Sequence, residues 1–107
     1  MNATPPPLPI VILISGRGSN LQSSIDAVAS DKLPVEIRAV ISNRPEATGL
    51  QRAARAGIPT AVIDHSLYTD RAAFDQALLE CIERFQPGLV VLAGFMRILT
   101  AAFVHHY

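Results

Sequence analysis

Charge, sulfur and long apolar runs are what this sequence has little of. Only 17% of its 107 residues are charged, against roughly 25% in average globular usage. Lys and Arg total 9, Asp and Glu total 9, and no run of like charge occurs. A zero net charge without basic or acidic patches excludes a general affinity for nucleic acid or for anionic membrane surfaces. It leaves open a small anion held by a few placed groups. The single cysteine, Cys81, excludes an intrachain disulfide, which fits a reducing cytosol. It lies in an apolar stretch and reads as a small core residue rather than a nucleophile. No apolar run approaches the ~20 residues of a membrane helix. Residues 1–9 hold four prolines and no cation, unlike the basic and then apolar leader of a secreted protein. The chain reads as cytoplasmic, with no membrane or nucleic-acid partner.

What is present is mostly apolar. Half the residues are hydrophobic and the mean hydropathy is +0.30. A parallel α/β sheet, buried on both faces, raises the average in this way. A piece of a larger fold does so too, because it keeps surface that the rest would cover. The length allows one domain. Residues 1–9 form a proline-rich lead and residues 10–107 the domain, without repeats or low-complexity stretches.

Ile10-Val11-Ile12-Leu13-Ile14 is an unbroken, largely β-branched run ending at Ser15-Gly16-Arg17-Gly18. It predicts a buried strand and a tight glycine turn. From Ser19, the residues Leu21, Ile25, Ala27, Val28 and Ala29 give one apolar helical face, stopped near Leu33-Pro34. Residues 35–41 form a second strand, closed by Ser42-Asn43-Arg44-Pro45. A short helix over 48–56 ends at Gly57, where a C′ glycine belongs. Residues 60–63 form a third strand. Thr69 or Asp70 caps a longer helix reaching Phe85, with Phe74, Ala77, Leu78, Cys81 and Phe85 along one stripe. Residues 89–93 form a fourth strand, and Thr100 caps a last short helix over 101–107. This alternation predicts an α/β, Rossmann-like open parallel sheet, order 3-2-1-4, with helices on both faces and right-handed crossovers.

The segment Gly16-Arg17-Gly18-Ser19-Asn20-Leu21 joins the first strand to the first helix. Helix-start amides and the helix dipole favour an anion there. Glycines let backbone N–H groups approach phosphate oxygens, and the Ser19 hydroxyl adds a donor. The competing reading is a plain turn with glycine for geometry and Ser19 as N-cap. A Walker loop is excluded by the missing lysine and the wrong spacing. A dinucleotide fingerprint wants a small residue where Leu21 stands, and an acid after the second strand, where Ser42-Asn43-Arg44 stands. Arg44 could suit the 2′-phosphate of NADP, so a non-catalytic NADP- or sugar-phosphate-binding module remains a rival. A lone phosphate fits the loop better. A structural remnant with neither affinity is a third reading.

Three ordered segments carry a family resemblance: Ile14-Ser15-Gly16-Arg17-Gly18-Ser19-Asn20-Leu21, then Ser42-Asn43-Arg44, then Leu92-Ala93-Gly94-Phe95-Met96-Arg97-Ile98-Leu99. Together they resemble the phosphoribosylglycinamide formyltransferase family, over nearly the whole chain from Ile10 to Tyr107. The resemblance implies transfer of a formyl group from 10-formyltetrahydrofolate, as co-substrate, to the amine of glycinamide ribonucleotide in purine synthesis. It implies that Gly18, Ser19 and Asn20 hold the ribonucleotide's phosphate. Arg71 would contact the folate, and Met96, Arg97, Ile98 and Leu99 would line the folate pocket. Read without the family, Met96, Ile98 and Leu99 are ordinary core residues. Arg71 is then a solvated cation set against a helix dipole. No metal is implied.

Formyl transfer needs an oxyanion stabiliser and a group that moves protons. The resemblance assigns these to an Asn-x-His-Pro-Ser motif and a later Asp, and the motif would begin just after Tyr107. The chain therefore reads as truncated, an incomplete formyltransferase fold with no catalytic residue of its own. His105 and His106 lack the following Pro-Ser and read as surface or interface residues, and His65 as a loop residue. In the order 3-2-1-4 the fourth strand is an apolar edge without charge, proline or bulge. Such an edge invites self-association.

Overall fold

The computed structural model describes residues 7–16, 19–30 and 35–93, with only the backbone described at Ser19 and Asn20. The expected last helix over 101–107, with His105 and His106, lies outside the described residues.

The expected architecture is found. Four parallel strands form one sheet in the order β3-β2-β1-β4. They are β1 (Leu8–Ile14), β2 (Val35–Ser42), β3 (Thr60–Val62) and β4 (Leu89–Leu92). Helices α1 (Ser19–Ala29), α2 (Gly49–Arg55) and α3 (Arg71–Glu83) connect them, with a single 3-10 turn at His65–Leu67 after β3.

Strand side chains alternate between faces, and β1 shows what this does. Ile10, Ile12 and Ile14 pack with Leu21 and Ile25 of α1 and Ala53 of α2. Val11 and Leu13 pack with Phe74, Leu78, Cys81 and Ile82 of α3. Both faces of β1 are thus covered, and Val11 through Ile14 are at most 1% exposed. Cys81 is buried, as read from the sequence.

Strand β1 starts at Leu8, earlier than the apolar run suggests. Leu8 and Pro9 pair with Val35 and Glu36, while β4 begins opposite Ile10. Pro9 therefore sits where its missing N–H interrupts no ladder on the β4 side. Its carbonyl accepts the Gly88 N–H at 2.8 Å.

The β1–β2 register shifts between Ile10 and Val11, so that Ile10 faces Ile37 while Val11 faces Ala39. Arg38 is the extra residue of this bulge. Ile37 packs on the α1/α2 face and Ala39 on the α3 face. Arg38 reaches the end of α3, where its guanidinium donates to the carbonyls of Phe85 (3.1 Å) and Gln86 (3.4 Å). These carbonyls lie just past Arg84, the C-cap of α3. The Nε of the same side chain pairs with Glu36 at 2.8 Å.

Helix ends follow the expected chemistry, with one choice resolved. Asp70 is the N-cap of α3, its carboxylate accepting the Ala73 N–H at 2.7 Å. Gly57 follows α2 with φ +74°. The Ile58 N–H bonds the Ala53 carbonyl and the Gly57 N–H that of Ala54, both at 3.0 Å, a Schellman closure. Beyond α3 the left-handed position is held by Gln86, with φ 50°.

A side chain with a Cβ is disfavoured in that conformation. Gln86→Gly is expected to raise stability by about 0.5–1 kcal/mol. Asp70→Ala is expected to lower it by about 1 kcal/mol through the lost cap. Urea or thermal denaturation of both variants checks the two signs.

Candidate functional site

Each parallel strand delivers its following loop to the same edge of the sheet, and the strand order decides which loops meet there. The chain passes from β1 outward to β2 and β3, then returns to β4 on the other side of β1. This reversal sets a crevice at the carboxyl ends of β1 and β4, where open α/β sheets take their ligands. The Ala93 N–H bonds the Leu13 carbonyl at 2.9 Å, so the two strand ends stay level. The end of β1 stands on one side of this crevice and the end of β4 on the other.

Of the expected phosphate residues, Ser19 and Asn20 open α1, with their backbone at the helix start. Gly18 lies outside the described residues, as do Met96, Arg97, Ile98 and Leu99. Arg71 is the exposed first residue of α3, directly after the Asp70 cap. Helix α3 runs from the carboxyl edge back to the amino edge, since Gly88 beyond it bonds Pro9. Arg71 therefore stands at the same edge of the sheet as the glycine turn.

Gly16 is exposed, and a Cβ built on it would meet nothing within 4 Å. Its φ is not in the left-handed region, so neither backbone strain nor crowding requires glycine at this position. Main-chain bonds hold the turn in place. The Gly16 carbonyl accepts the Gly49 N–H at 3.1 Å, and the Ile14 carbonyl accepts the Asn43 N–H at 3.3 Å. Ser15, Gly16, Arg44, Glu46, Ala47 and Thr48 line a shallow cleft of about 210 Å³ between the loops after β1 and β2.

The loop after β2 carries features that the sequence did not single out. Ser42 is fully buried; its hydroxyl accepts the Arg44 N–H at 3.0 Å and donates to the Arg44 carbonyl at 2.8 Å. Asn43 is 3% exposed, and its side-chain Oδ1 has no hydrogen-bond partner among the described residues. The Asn43 carbonyl accepts the His65 N–H at 3.2 Å and lies 2.8 Å from His65 Nδ1. A carbonyl only accepts, so Nδ1 carries the proton. His65 is thus bonded back to β2 from its 3-10 turn, rather than being a plain loop residue. The signal available in the sequence was a polar Ser-Asn pair ending an apolar strand.

Titratable groups outside the crevice are structural. Burial raises the pKa of the Cys81 thiol, with Arg84 partly opposing, which suits a core residue better than a nucleophile. The Asp64 carboxyl is lowered by the hydroxyl of Ser66, then by the Ser66 N–H. Among the described residues no group of His, Cys, Asp and Glu could hold a metal ion. No described helix is long and apolar enough to cross a membrane.

Comparison with known proteins fits this geometry. The family model described as formyl transferase matches residues 8–107. The chain belongs to the formyl transferase family. It is 52% identical over 98 residues to phosphoribosylglycinamide formyltransferase of Escherichia coli (strain K12), covering 92% of this chain and 46% of that protein. It is 48% identical over 98 residues to the human trifunctional purine biosynthetic protein adenosine-3, covering 92% of this chain and 10% of that protein. The solved phosphoribosylglycinamide formyltransferase of Coxiella burnetii superposes with a TM-score of 0.88 at 53% identity, covering 94% of this chain and 47% of that one. A glycinamide ribonucleotide transformylase from Symbiobacterium toebii gives a TM-score of 0.91 at 38% identity, covering 97% and 49%. The chain thus spans about half the length of these single-function formyl transferase relatives.

The Asp64 carboxylate accepts from the Ser66 hydroxyl at 2.7 Å and from the Ser66 N–H at 3.0 Å. Its depressed pKa means that this contact stabilises the fold above the unfolded-state value and is lost as pH falls through the folded one. A carboxyl-carbon NMR titration is expected to place the Asp64 midpoint below 3.8. Ser66→Ala should move that midpoint back up.

Proposed function

We propose that these residues form the phosphate-binding part of an enzyme of de novo purine biosynthesis. It transfers a formyl group from 10-formyltetrahydrofolate to the amine of glycinamide ribonucleotide. The observation carrying this reading is the position of the glycine turn. It opens α1 at the carboxyl end of β1, beside the reversal of strand order. Amides at a helix start favour a phosphate without any counter-cation from the protein. The space around Gly16 supports a ligand reason for glycine there over a purely conformational one.

In this reading Gly18, Ser19 and Asn20 take the ribonucleotide's phosphate. The folate lies on the β4 side, contacted by Arg71 and lined by Met96, Arg97, Ile98 and Leu99. The flat pterin has donor and acceptor edges, which a post-strand loop can meet with backbone groups between apolar side chains. The tetrahedral intermediate needs oxyanion and proton-transfer groups. The proposal gives these to the Asn-x-His-Pro-Ser motif and a later Asp, which do not occur in the 107 residues. These residues alone then bind substrate without turnover. The setting is cytoplasmic, with small-molecule partners and no metal.

The bare edge of the sheet belongs to the same proposal. Among the described residues, strand β4 pairs only with β1. Its Leu89 and Leu92 are 45% and 54% exposed, and it carries no charge or proline to discourage pairing. Taken alone, the chain self-associates through this edge.

Calorimetry tests the ligand. Glycinamide ribonucleotide and ribose 5-phosphate are expected to bind, and Ser19→Ala to weaken both roughly tenfold to a hundredfold, the loss of one hydrogen bond to a charged group. NADP binding without ribonucleotide binding would refute the proposal, as would formyl transfer by these residues alone. In sedimentation experiments, Leu92→Lys is expected to shift the chain towards monomer, since an edge lysine opposes strand pairing.

A further inference from the structure

We infer that Arg44 is a further binding residue for the phosphomonoester, acting from the loop after β2. The inference rests on the phosphate reading of the glycine turn given above.

Arg44 lines the same cleft as Ser15 and Gly16, the first residues of that turn. Its side chain is exposed and makes no ion pair or hydrogen bond with the described residues. Arg38 behaves differently, being committed to Glu36 and to the end of α3. The main chain of Arg44 is held at both its N–H and its carbonyl by the buried Ser42 hydroxyl. The adjoining Asn43 N–H is fixed to the end of β1. A cation whose stem leaves a clamped backbone gives up less freedom on binding than one on a loose loop. The Gly16–Gly49 bond holds the far wall of the cleft at the same level.

The cleft also holds a carboxylate. Glu46 lines it as well, and it is not paired with Arg44. The two charges act on an incoming phosphate in opposite senses. Arg44 supplies a guanidinium suited to phosphate oxygens, while Glu46 repels them through partly screened solvent. Arg44 therefore adds a further salt-dependent affinity to the contribution of the turn's amides.

Calorimetric titration of the full chain with ribose 5-phosphate, at low and at moderate ionic strength, tests this. Arg44→Gln is expected to weaken binding about fivefold at low salt and to flatten the salt dependence. Arg44→Lys should restore part of the loss. Glu46→Gln should tighten binding about twofold to fivefold. Arg44→Gln with unchanged affinity and an unchanged salt dependence would overturn the assignment. Should that variant fold poorly, a Glu46→Gln affinity that is equal or weaker overturns it instead. The two levels of inference separate cleanly. If the unmodified chain does not bind ribose 5-phosphate, the glycine-turn reading falls. If it binds and the Arg44→Gln chain binds equally well, only the role of Arg44 falls.

Discussion

The structure depends on β1 lying between β2 and β4 with both of its faces buried. Its alternating side chains need separate cover on each side, and two clusters supply it: one under α1 and α2, one under α3. Parallel neighbours impose a crossover helix between strands, so burial of a single strand dictates most of the chain's path. It also dictates where function can sit. All strands point one way, so the loops after β1, β2 and β4 gather at one edge, and the reversal of order around β1 opens the crevice there.

The amino edge carries the contrasting interactions. There the Pro9 carbonyl takes the Gly88 N–H, and Arg38 closes the end of α3. The Arg38 guanidinium is committed to main-chain carbonyls just past the C-cap of α3. At the carboxyl edge the cations Arg44 and Arg71 remain exposed. The same residue type therefore has different roles at the two edges, decided by whether helix-end carbonyls lie within reach.

Much of this was legible in the sequence, because the signals were local. Unbroken apolar runs marked the strands, and the i, i+3, i+4 stripe from Phe74 marked α3. Gly57 fell where a left-handed residue was required. The choice between Thr69 and Asp70 was open, since both residue types cap; only the geometry of the extended Asp70 backbone selects it. The bulge at Arg38 was not legible. Arg38 there bonds Phe85 far along the chain, and nothing in Glu36-Ile37-Arg38-Ala39 announces an extra residue. Pro9 read as the end of the proline-rich lead, because whether a strand tolerates proline depends on where its neighbour begins. At the site, the glycine turn was readable from composition and position. The Ser42 clamp and the buried Asn43 Oδ1 were not, because burial of a polar side chain depends on what packs over it. Gly18 and the run from Met96 to Leu99 lie outside the described residues.

The two ends of the strand order differ in a way that bears on the crevice. Strand β3 is a three-residue edge, and Asp64, which accepts from Ser66, follows two residues after it; short length and nearby charge are usual means of blunting an edge. Strand β4, four residues long, carries no charged residue, and Val90 and Val91 above and below it join the two clusters. Both valines are half-buried, so the core of the described residues extends past β1 onto β4. The crevice lies against this same strand. A strand added to β4 would finish the core and stand beside the crevice at once. Under the proposed function, completing the sheet and walling the folate side of the site are therefore one structural event. Phosphate affinity belongs to the β1 and β2 loops and does not wait for it.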